Sequence, residues 1–331
     1  MASALQRAVA AILASRSVVL ATHTNPDGDA IGSILGLAHA LTGLGIIALP
    51  LSSDGVPDIY SWMPGASTVQ SRTLQRHFDV ALVCDAGKLE RIGGPVMPAV
   101  RSAKTTIDID HHVADGVFGD IRLVDAKSAS TAEVAWRLIV ALERASGRLL
   151  RSRAIAECLM TGIITDTGGF RYPAVEPRTF RLAAILQSLG AHPAPICERV
   201  FEDRTPGSLK LLGRALSDIQ STPDGSVVWA AVRRSDFTDL NASDADTEGI
   251  VTVVRSTRGA TIGILFRELS GGSIRVSLRA REGADVNAVA KAFGGGGHHL
   301  AAGCTLDAPL EAAVAAVVEE AHRQLRGLQT G

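Results

Sequence analysis

Four short segments carry the groups that could do chemistry. They are His23-Thr24-Asn25-Pro26-Asp27-Gly28-Asp29, Asp85 at the end of an apolar run, Asp110-His111-His112, and Thr165-Asp166-Thr167-Gly168. Each of the first three follows a short β-like stretch. A parallel sheet delivers such residues to the cleft beyond its carboxyl edge. Together they offer more carboxylate and imidazole than one metal ion needs, which points to a two-metal hydrolase. Pro26 and Gly28 tighten the first loop, so Asp27 and Asp29 can turn towards a common centre with His23. Mixed oxygen and imidazole donors favour Mn²⁺, with Mg²⁺, Co²⁺ or Fe²⁺ as weaker fits. The lack of thiolates speaks against a structural zinc site. Two cations about 3.5–4 Å apart can hold both the attacking and the leaving oxygen of a phosphoryl displacement and acidify a shared water. One carboxylate must bridge them, and Asp85, alone at a strand end between the two clusters, is the candidate.

Each segment taken singly has a plainer reading. An Asp in an NPDG loop forms turns. An Asp after a strand caps a helix. A lone His sits in a core or on a surface. Four such segments in one domain, in sheet-compatible order, outweigh those readings. Asp108 stays open between a supporting position behind the ligands and a solvent-facing strand residue. His39, His77, His192 and His322 belong to no motif.

Positioning these groups requires strands and helices in a fixed order. Residues 4–15 read as a helix, 17–22 as a central strand, 30–44 as a helix with small residues on one face. Strands follow at 46–52, 80–85 and 105–110, then helices at about 131–146, 152–164 and 177–189. Ser130-Thr131-Ala132-Glu133 matches a capping box and is read as a helix start. Pro193 and Pro195 after Gly190 mark a boundary. Glu198–Gln220 reads as a connecting helical stretch, interrupted at Pro206-Gly207. From Ser226 the strands VVWAAV, TIGILF and SIRVSL take over, then Gly294–Gly297, His298, His299 and a helix at 309–325. The fold class is α/β. The expected domains are a parallel-sheet domain (1–190), a helical linker (191–222) and a smaller α/β domain (223–331).

The bulk numbers exclude several classes. With 331 residues, of which 46% are hydrophobic, the chain can bury two cores. Lys and Arg number 33 against 34 Asp and Glu, so there is no basic surplus for long duplex nucleic acid. Any nucleic-acid substrate is short. Cys84, Cys158, Cys197 and Cys304 form no CxxC pair and suggest neither a zinc ribbon nor a disulfide framework. No stretch is apolar enough to cross a bilayer and the amino terminus lacks a signal-peptide pattern, so a soluble cytoplasmic protein without a membrane partner is expected.

These segments resemble the motifs of the DHH phosphoesterase superfamily. HTNPDGDAIGS is similar to its first motif, VCDAG to its second, DHH to its third and TDTGGF to its fourth. FGGGGHHLAAG resembles the glycine-rich signature of the DHH-associated substrate-binding domain. Size and domain order are similar to the NrnA-type oligoribonucleases that also act as 3'-phosphoadenosine 5'-phosphate (pAp) phosphatases. The resemblance implies removal of mononucleotides from very short RNAs, hydrolysis of pAp to AMP, and a homodimer. It implies a first metal on His23 and Asp27, a second on Asp29, His111 and Asp166, and Asp85 between them. His112 would stand beside the phosphate as stabiliser or proton donor, and Asp110 would orient one of the two histidines from behind. Substrate contacts would come from Gly295, Gly296, Gly297, His298 and Arg279, with His299 and Arg171 as weaker candidates.

A glycine run alone would be an ordinary turn, and Arg279 alone a solvated strand charge. Aromatic residues make up 4% of the chain, too few for an extended base-stacking surface. Binding through phosphates fits better, with a long RNA excluded sterically. The alternatives are a cyclic-dinucleotide or pApA phosphodiesterase using the same metals, an inorganic pyrophosphatase, a RecJ-like exonuclease, and a nucleotide-binding regulatory module without catalysis. Every expected ligand is present, which weighs against the last.

Overall fold

The structure is a computed structural model and describes residues 3–112 and 117–329. The chain divides into two compact units, Met1–Asp203 and Arg204–Gly331.

In the first unit five strands form an all-parallel sheet: β1 (Ser17–Ala21), β2 (Ile47–Leu51), β3 (Val80–Cys84), β4 (Thr105–Asp110) and β5 (Ile121–Val124). Their spatial order is β2-β1-β3-β4-β5. The winding reverses between β1 and β3, and the carboxyl ends of those two strands flank the crevice of a doubly wound sheet. Among the described residues, the α-helices of this unit are α1 (Ala4–Leu13), α2 (Gly28–Gly43), α3 (Met97–Arg101), α4 (Thr131–Ser146), α5 (Arg153–Asp166), α6 (Pro177–Ser188) and α7 (Pro193–Cys197). β1 and β3 are nearly continuous apolar runs because both faces of the sheet are covered. Val18, Leu20, Val80 and Leu82 pack among α1, α2, α4 and α5. Their neighbours Val19, Ala21, Ala81 and Val83 point the other way, against Ile92, Val96 and Val100.

The contact of α2 with α5 sets the site. Gly28, Gly32 and Gly36 recur every four residues and form one face of α2. A Cβ on Gly28 would strike the Thr165 side chain, and one on Gly32 would strike the Cys158 carbonyl oxygen. On the facing helix, a Cβ on Gly162 would lie 2.6 Å from Asp29 Oδ1. Backbones this close carry Asp29 on α2 towards Asp166 at the end of α5.

The second unit holds a mixed sheet in the order β10-β11-β9-β8-β7-β6. Its strands are β6 (Gln220–Ser221), β7 (Val227–Val232), β8 (Ile262–Glu268), β9 (Ile274–Ala280), β10 (Gly296–His298) and β11 (Ala301–Leu306). β7 and β8 run parallel and the other pairs antiparallel. Its helices are α8 (Pro206–Ser217), α9 (Arg234–Asp239), α10 (Ile250–Arg255), α11 (Val286–Ala292) and α12 (Leu310–Gln329). Ile274, Val276 and Leu278 pack against α11 and α12. Val228, Ala230 and Leu265 on the other face meet α8 and α10. No helix among the described residues is long and apolar enough to cross a membrane.

Several expectations shift. The strand series does not end at β4, since β5 adds a fifth strand. The stretch 191–222 is shared between the units: α7 and the π-helical turn Glu198–Glu202 fall before Asp203, and α8 falls after it. Pro193 occupies the first turn of α7, where a missing N–H costs nothing. Ser130 precedes α4 but its hydroxyl makes no cap bond, so the capping box does not form. Ala301-Ala302-Gly303 lie in β11 and pair with the glycine run.

Gly32→Ala should lower the stability of the protein by about 1–3 kcal/mol through overpacking against α5. Gly213→Ala, in exposed α8 with nothing within 4 Å of the added carbon, should instead stabilise by roughly 0.4–1 kcal/mol. Thermal melting of both variants distinguishes the two; equal melting temperatures would contradict the close α2–α5 contact.

Candidate metal centre

Thr22 and His23 extend β1 into its carboxyl-end loop, and Asn25 turns that loop with φ of +51°. Asp27 then caps α2, its Oδ1 accepting the N–H groups of Asp29 and Ala30 at 3.0 Å each. His23 Nδ1 donates to the Thr24 carbonyl at 2.8 Å, which turns Nε2 towards Asp85 Oδ2 at 3.5 Å. Such a carbonyl partner fixes both tautomer and ring direction.

Asp85 follows β3 directly and is buried. Its φ of +59° is unusual for a side chain with a Cβ. Its two oxygens face different partners: Oδ2 faces His23, while Oδ1 lies 3.6 Å from His111 Nε2 and 3.5 Å from His112 Nδ1. Thr131 Oγ1 also donates to Oδ1, at 2.9 Å.

Asp29 is fully buried. Its Oδ2 accepts the Thr131 N–H at 2.6 Å and its Oδ1 accepts the Ala132 N–H at 2.9 Å. The start of α4 is thus capped by a carboxylate about one hundred residues earlier in the chain, the role foreseen for Ser130. Asp166 closes α5 and reaches His111 Nε2 with Oδ2 at 3.0 Å. His111 Nδ1 points to the Ser128 carbonyl at 3.3 Å.

Asp110 ends β4 and has its acceptor capacity filled. Oδ1 accepts the N–H groups of His111 and His112 and the His112 Nδ1–H, at 2.7, 2.9 and 2.7 Å, and Oδ2 accepts the Gly87 N–H at 2.7 Å. Asp108 is buried and held by Arg122 at 3.2 Å, so it does not face solvent.

Potential ligand atoms lie within 4.8 Å of one another in each of three sets: His23, Asp27 and Asp85; Asp29, His111 and Asp166; and Asp85, Asp110, His111 and His112. The structure therefore brings together all eight cluster residues singled out in the first half of the chain. Their charges are out of balance. Asp27 stays open to solvent at the mouth but is enclosed on its other sides. That enclosure and the charges of Asp85 and Asp166 push its carboxyl up to about 6. Burial, then Asp166 and Asp85, raise Asp29 well above the carboxylate range. Burial raises Asp166 too, against the pull of His111. Asp85 is lowered, because His23, His112 and His111 outweigh its burial, and Asp110 is lowered as well, by His112 against its own burial. Burial opposes charge on His111, yet Asp166, Asp85 and Asp29 lift it to about 11. An excess of converging carboxylates with imidazoles and no thiolate is a donor set that fits divalent cations of the Mn²⁺ or Mg²⁺ type.

The remaining candidates lie elsewhere. Arg171 donates to the Gly168 carbonyl and stands 5.9 Å from the Phe201 ring centroid. Arg279 is on β9 in the second unit, flanked by Gly263 and Ala301, and donates to the Leu278 carbonyl at 3.1 Å. His299 pairs with Asp285 at 3.1 Å. His298 closes β10, and its side chain lies outside the described atoms. In the glycine run, Gly294 has φ of +70° and Gly297 φ of +150°. A Cβ on Gly295 would strike the Gly303 carbonyl, and one on Gly297 would lie 2.5 Å from the Ala301 carbonyl. Gly295 and Gly297 are required by the β10–β11 hairpin, and Gly294 by the left-handed turn that ends α11, where its N–H donates to the Lys291 carbonyl. Gly296 is not: a Cβ there meets only Asn287 Oδ1 at 4.0 Å.

Thr131 and Ser128 were not foreseen as site residues. Ser130-Thr131-Ala132-Glu133 reads as a local cap, and nothing local reveals that the partners of Thr131 are Asp29 and Asp85.

A doubly wound parallel sheet with this cluster at its carboxyl edge, followed by a mixed-sheet unit with a glycine run, is a two-domain architecture with known relatives. The model of the DHH family, N-terminal domain, matches residues 17–163, and that of the DHHA1 domain matches residues 224–327. The chain belongs to the DHH family. It is 33% identical over 313 residues to the bifunctional oligoribonuclease and PAP phosphatase NrnA of Thermus thermophilus, covering 92% of this chain and 90% of that protein. It is 25% identical over 294 residues to the protein of the same description from Bacillus subtilis, covering 88% and 89%. The crystal structure of an exopolyphosphatase-related protein from Bacteroides fragilis superposes with a TM-score of 0.92 at 27% identity, over 98% of this chain and 97% of that one.

Binding of a divalent cation should release protons. With His111 near 11, the metal-free site holds an imidazolium from neutral pH up to that range, and its Nε2 must lose the proton to become a ligand. Affinity should therefore fall as pH falls. Titration calorimetry of Mn²⁺ at pH 7.5 in buffers of different ionisation enthalpy should give different observed heats; identical heats would contradict the charge balance described. Gly296→Ala should leave the melting temperature unchanged, whereas Gly295→Ala and Gly297→Ala should lower it by several degrees.

Proposed function

We infer that this protein is a divalent-metal-dependent phosphoesterase that hydrolyses short oligoribonucleotides to mononucleotides and pAp to AMP. Two three-residue clusters of potential ligands, with Asp85 facing His23 of one and His111 of the other, are the observation that carries this reading. The descriptions of the Thermus thermophilus and Bacillus subtilis relatives supply the substrate class. In this reading His23, Asp27 and Asp85 hold one Mn²⁺ ion and Asp29, His111 and Asp166 a second, with Asp85 shared. When bound, the ions supply Lewis acidity towards the phosphate and an attacking water.

The protein side chains do the rest. Asp110 holds His112 through Nδ1, and we assign His112 Nε2 to the phosphate and the departing oxygen. Burial opposes charge on His112, but Asp110 and Asp85 raise its proton affinity, so it is suited to donate. Arg279, Gly295, Gly296, Gly297 and His298 are assigned to substrate phosphates, with His299 and Arg171 as secondary contacts. Gly296 supports this, because the hairpin leaves its lack of a side chain unexplained. Short substrates suit a chain with no basic surplus.

A Mn²⁺-supplemented panel of pAp, pApA, an RNA dinucleotide, a long RNA, cyclic di-AMP and pyrophosphate tests the reading. The expected result is turnover of pAp and the dinucleotide, little of the long RNA, and none after chelation. Preferential turnover of pyrophosphate or cyclic di-AMP would overturn the substrate assignment. His112→Gln should lower kcat by about 10²–10⁴-fold with Mn²⁺ affinity nearly unchanged, whereas Asp85→Asn should lose both.

A further inference from the structure

Thr131 lies outside the four motifs and has no local role in starting its helix. The N–H of Glu133 goes to the Ser130 carbonyl at 3.3 Å, not to a hydroxyl. The Thr131 hydroxyl instead donates to Asp85 Oδ1 at 2.9 Å, and its own N–H goes to Asp29 at 2.6 Å. One fully buried residue thus holds a carboxylate from α2 and a carboxylate from the end of β3. It stands at the first position of the sixteen-residue helix α4. Its neighbour Ala132 is packed so tightly that a Cβ on Gly162 would lie 2.9 Å from the Ala132 Cβ. Branching at Cβ further limits its rotation.

The Asp85 carboxylate needs such a hold. Its Oδ2 serves His23 at 3.5 Å, and its Oδ1 serves His111 and His112 at 3.6 and 3.5 Å. Those three contacts are long for hydrogen bonds. The Thr131 bond is the short one among them, and it acts on one oxygen only. We propose that Thr131 is a positioning residue whose hydroxyl fixes the rotation of the Asp85 carboxylate, so that one oxygen serves each side of the cluster. This rests on the metal-dependent phosphoesterase reading and assigns to Thr131 the geometry of the shared ligand.

Thr131→Val keeps the shape and removes the donor, and Thr131→Ser keeps the donor. Both are measured in the full chain for metal-free melting temperature, Mn²⁺ affinity by calorimetry, the electron paramagnetic resonance signal of a spin-coupled manganese pair, and kcat and KM on an RNA dinucleotide. The valine variant should weaken Mn²⁺ affinity and lower kcat, each by about 10–100-fold, and should lose the coupled signal while KM stays near the wild-type value. The serine variant should keep all four properties. If the valine variant does not fold, Thr131→Ala takes its place with the same expected losses. Wild-type affinity and coupling in the valine variant would overturn the proposal. Equal losses in the serine and valine variants would also overturn it, because packing and not the hydroxyl would then be responsible. A wild-type protein that neither binds Mn²⁺ nor hydrolyses any phosphate ester would defeat the reading beneath it, and this inference with it.

Discussion

Mutual repulsion among Asp27, Asp29, Asp85 and Asp166 is the constraint around which the first unit is organised. Carboxylates this close cannot all be charged cheaply in a buried site. Burial, with this repulsion added to it, pushes Asp27, Asp29 and Asp166 towards the neutral form, and the same carboxylates push His111 towards the charged form against its burial. The fold relieves part of this with main-chain amides. Asp27 takes two from the start of α2, Asp29 two from the start of α4, and Asp110 three from Gly87, His111 and His112. Helix N-termini suit negative charge, so each of the two starts is a fixed source of positive potential. Asp85 and Asp166 depend on side chains instead, and both lean on His111.

Two separate packing rules deliver these groups. The parallel sheet brings His23, Asp85 and Asp110 to one edge, since β1, β3 and β4 are adjacent and end together. Asp29 and Asp166 arrive by a different route, through the glycine face of α2 against α5. The first rule tolerates ordinary apolar substitution in the strands. The second tolerates almost none at Gly32 or Gly162, where a methyl group has backbone or a carboxylate in its way.

That difference explains what could be read from the chain. β1 and β3 announce themselves as apolar runs that end in polar residues, β4 as a β-branched alternating stretch that runs into Asp110-His111-His112, and α4, α5 and α6 as long periodic stretches. β5 has four residues and α10 and α11 only six and seven, too few to show a period. The first three motifs were legible because strand position and residue type agree. The start of α4 was legible as a start, but its cause was not. Ser130 offered a local explanation, while the real partners of Thr131 and Ala132 lie on α2 and β3. Sequence pattern reports neighbours along the chain, and Asp108 fails for the same reason: its partner Arg122 lies on β5, the strand that was not foreseen.

His111 and His112 show how adjacent residues of one type are set apart. Their rings are tilted by 57° with centroids 4.3 Å apart, so they meet different surroundings. His111 offers Nδ1 to a carbonyl, which holds the ring but adds no charge, and presents Nε2 to Asp166. Removing the neighbouring negative charge, as a cation would, returns such an imidazole towards its neutral, ligating form. His112 offers Nδ1 to the Asp110 carboxylate, which stays charged because three amides and this ring outweigh its burial. That support persists whatever occupies the rest of the cluster. A carbonyl behind a histidine fixes its tautomer without adding charge, whereas a carboxylate behind it also favours the protonated ring. The three-residue motif therefore places its two rings in different electrostatic surroundings, and in the proposed reading it divides the roles of ligand and proton donor between them.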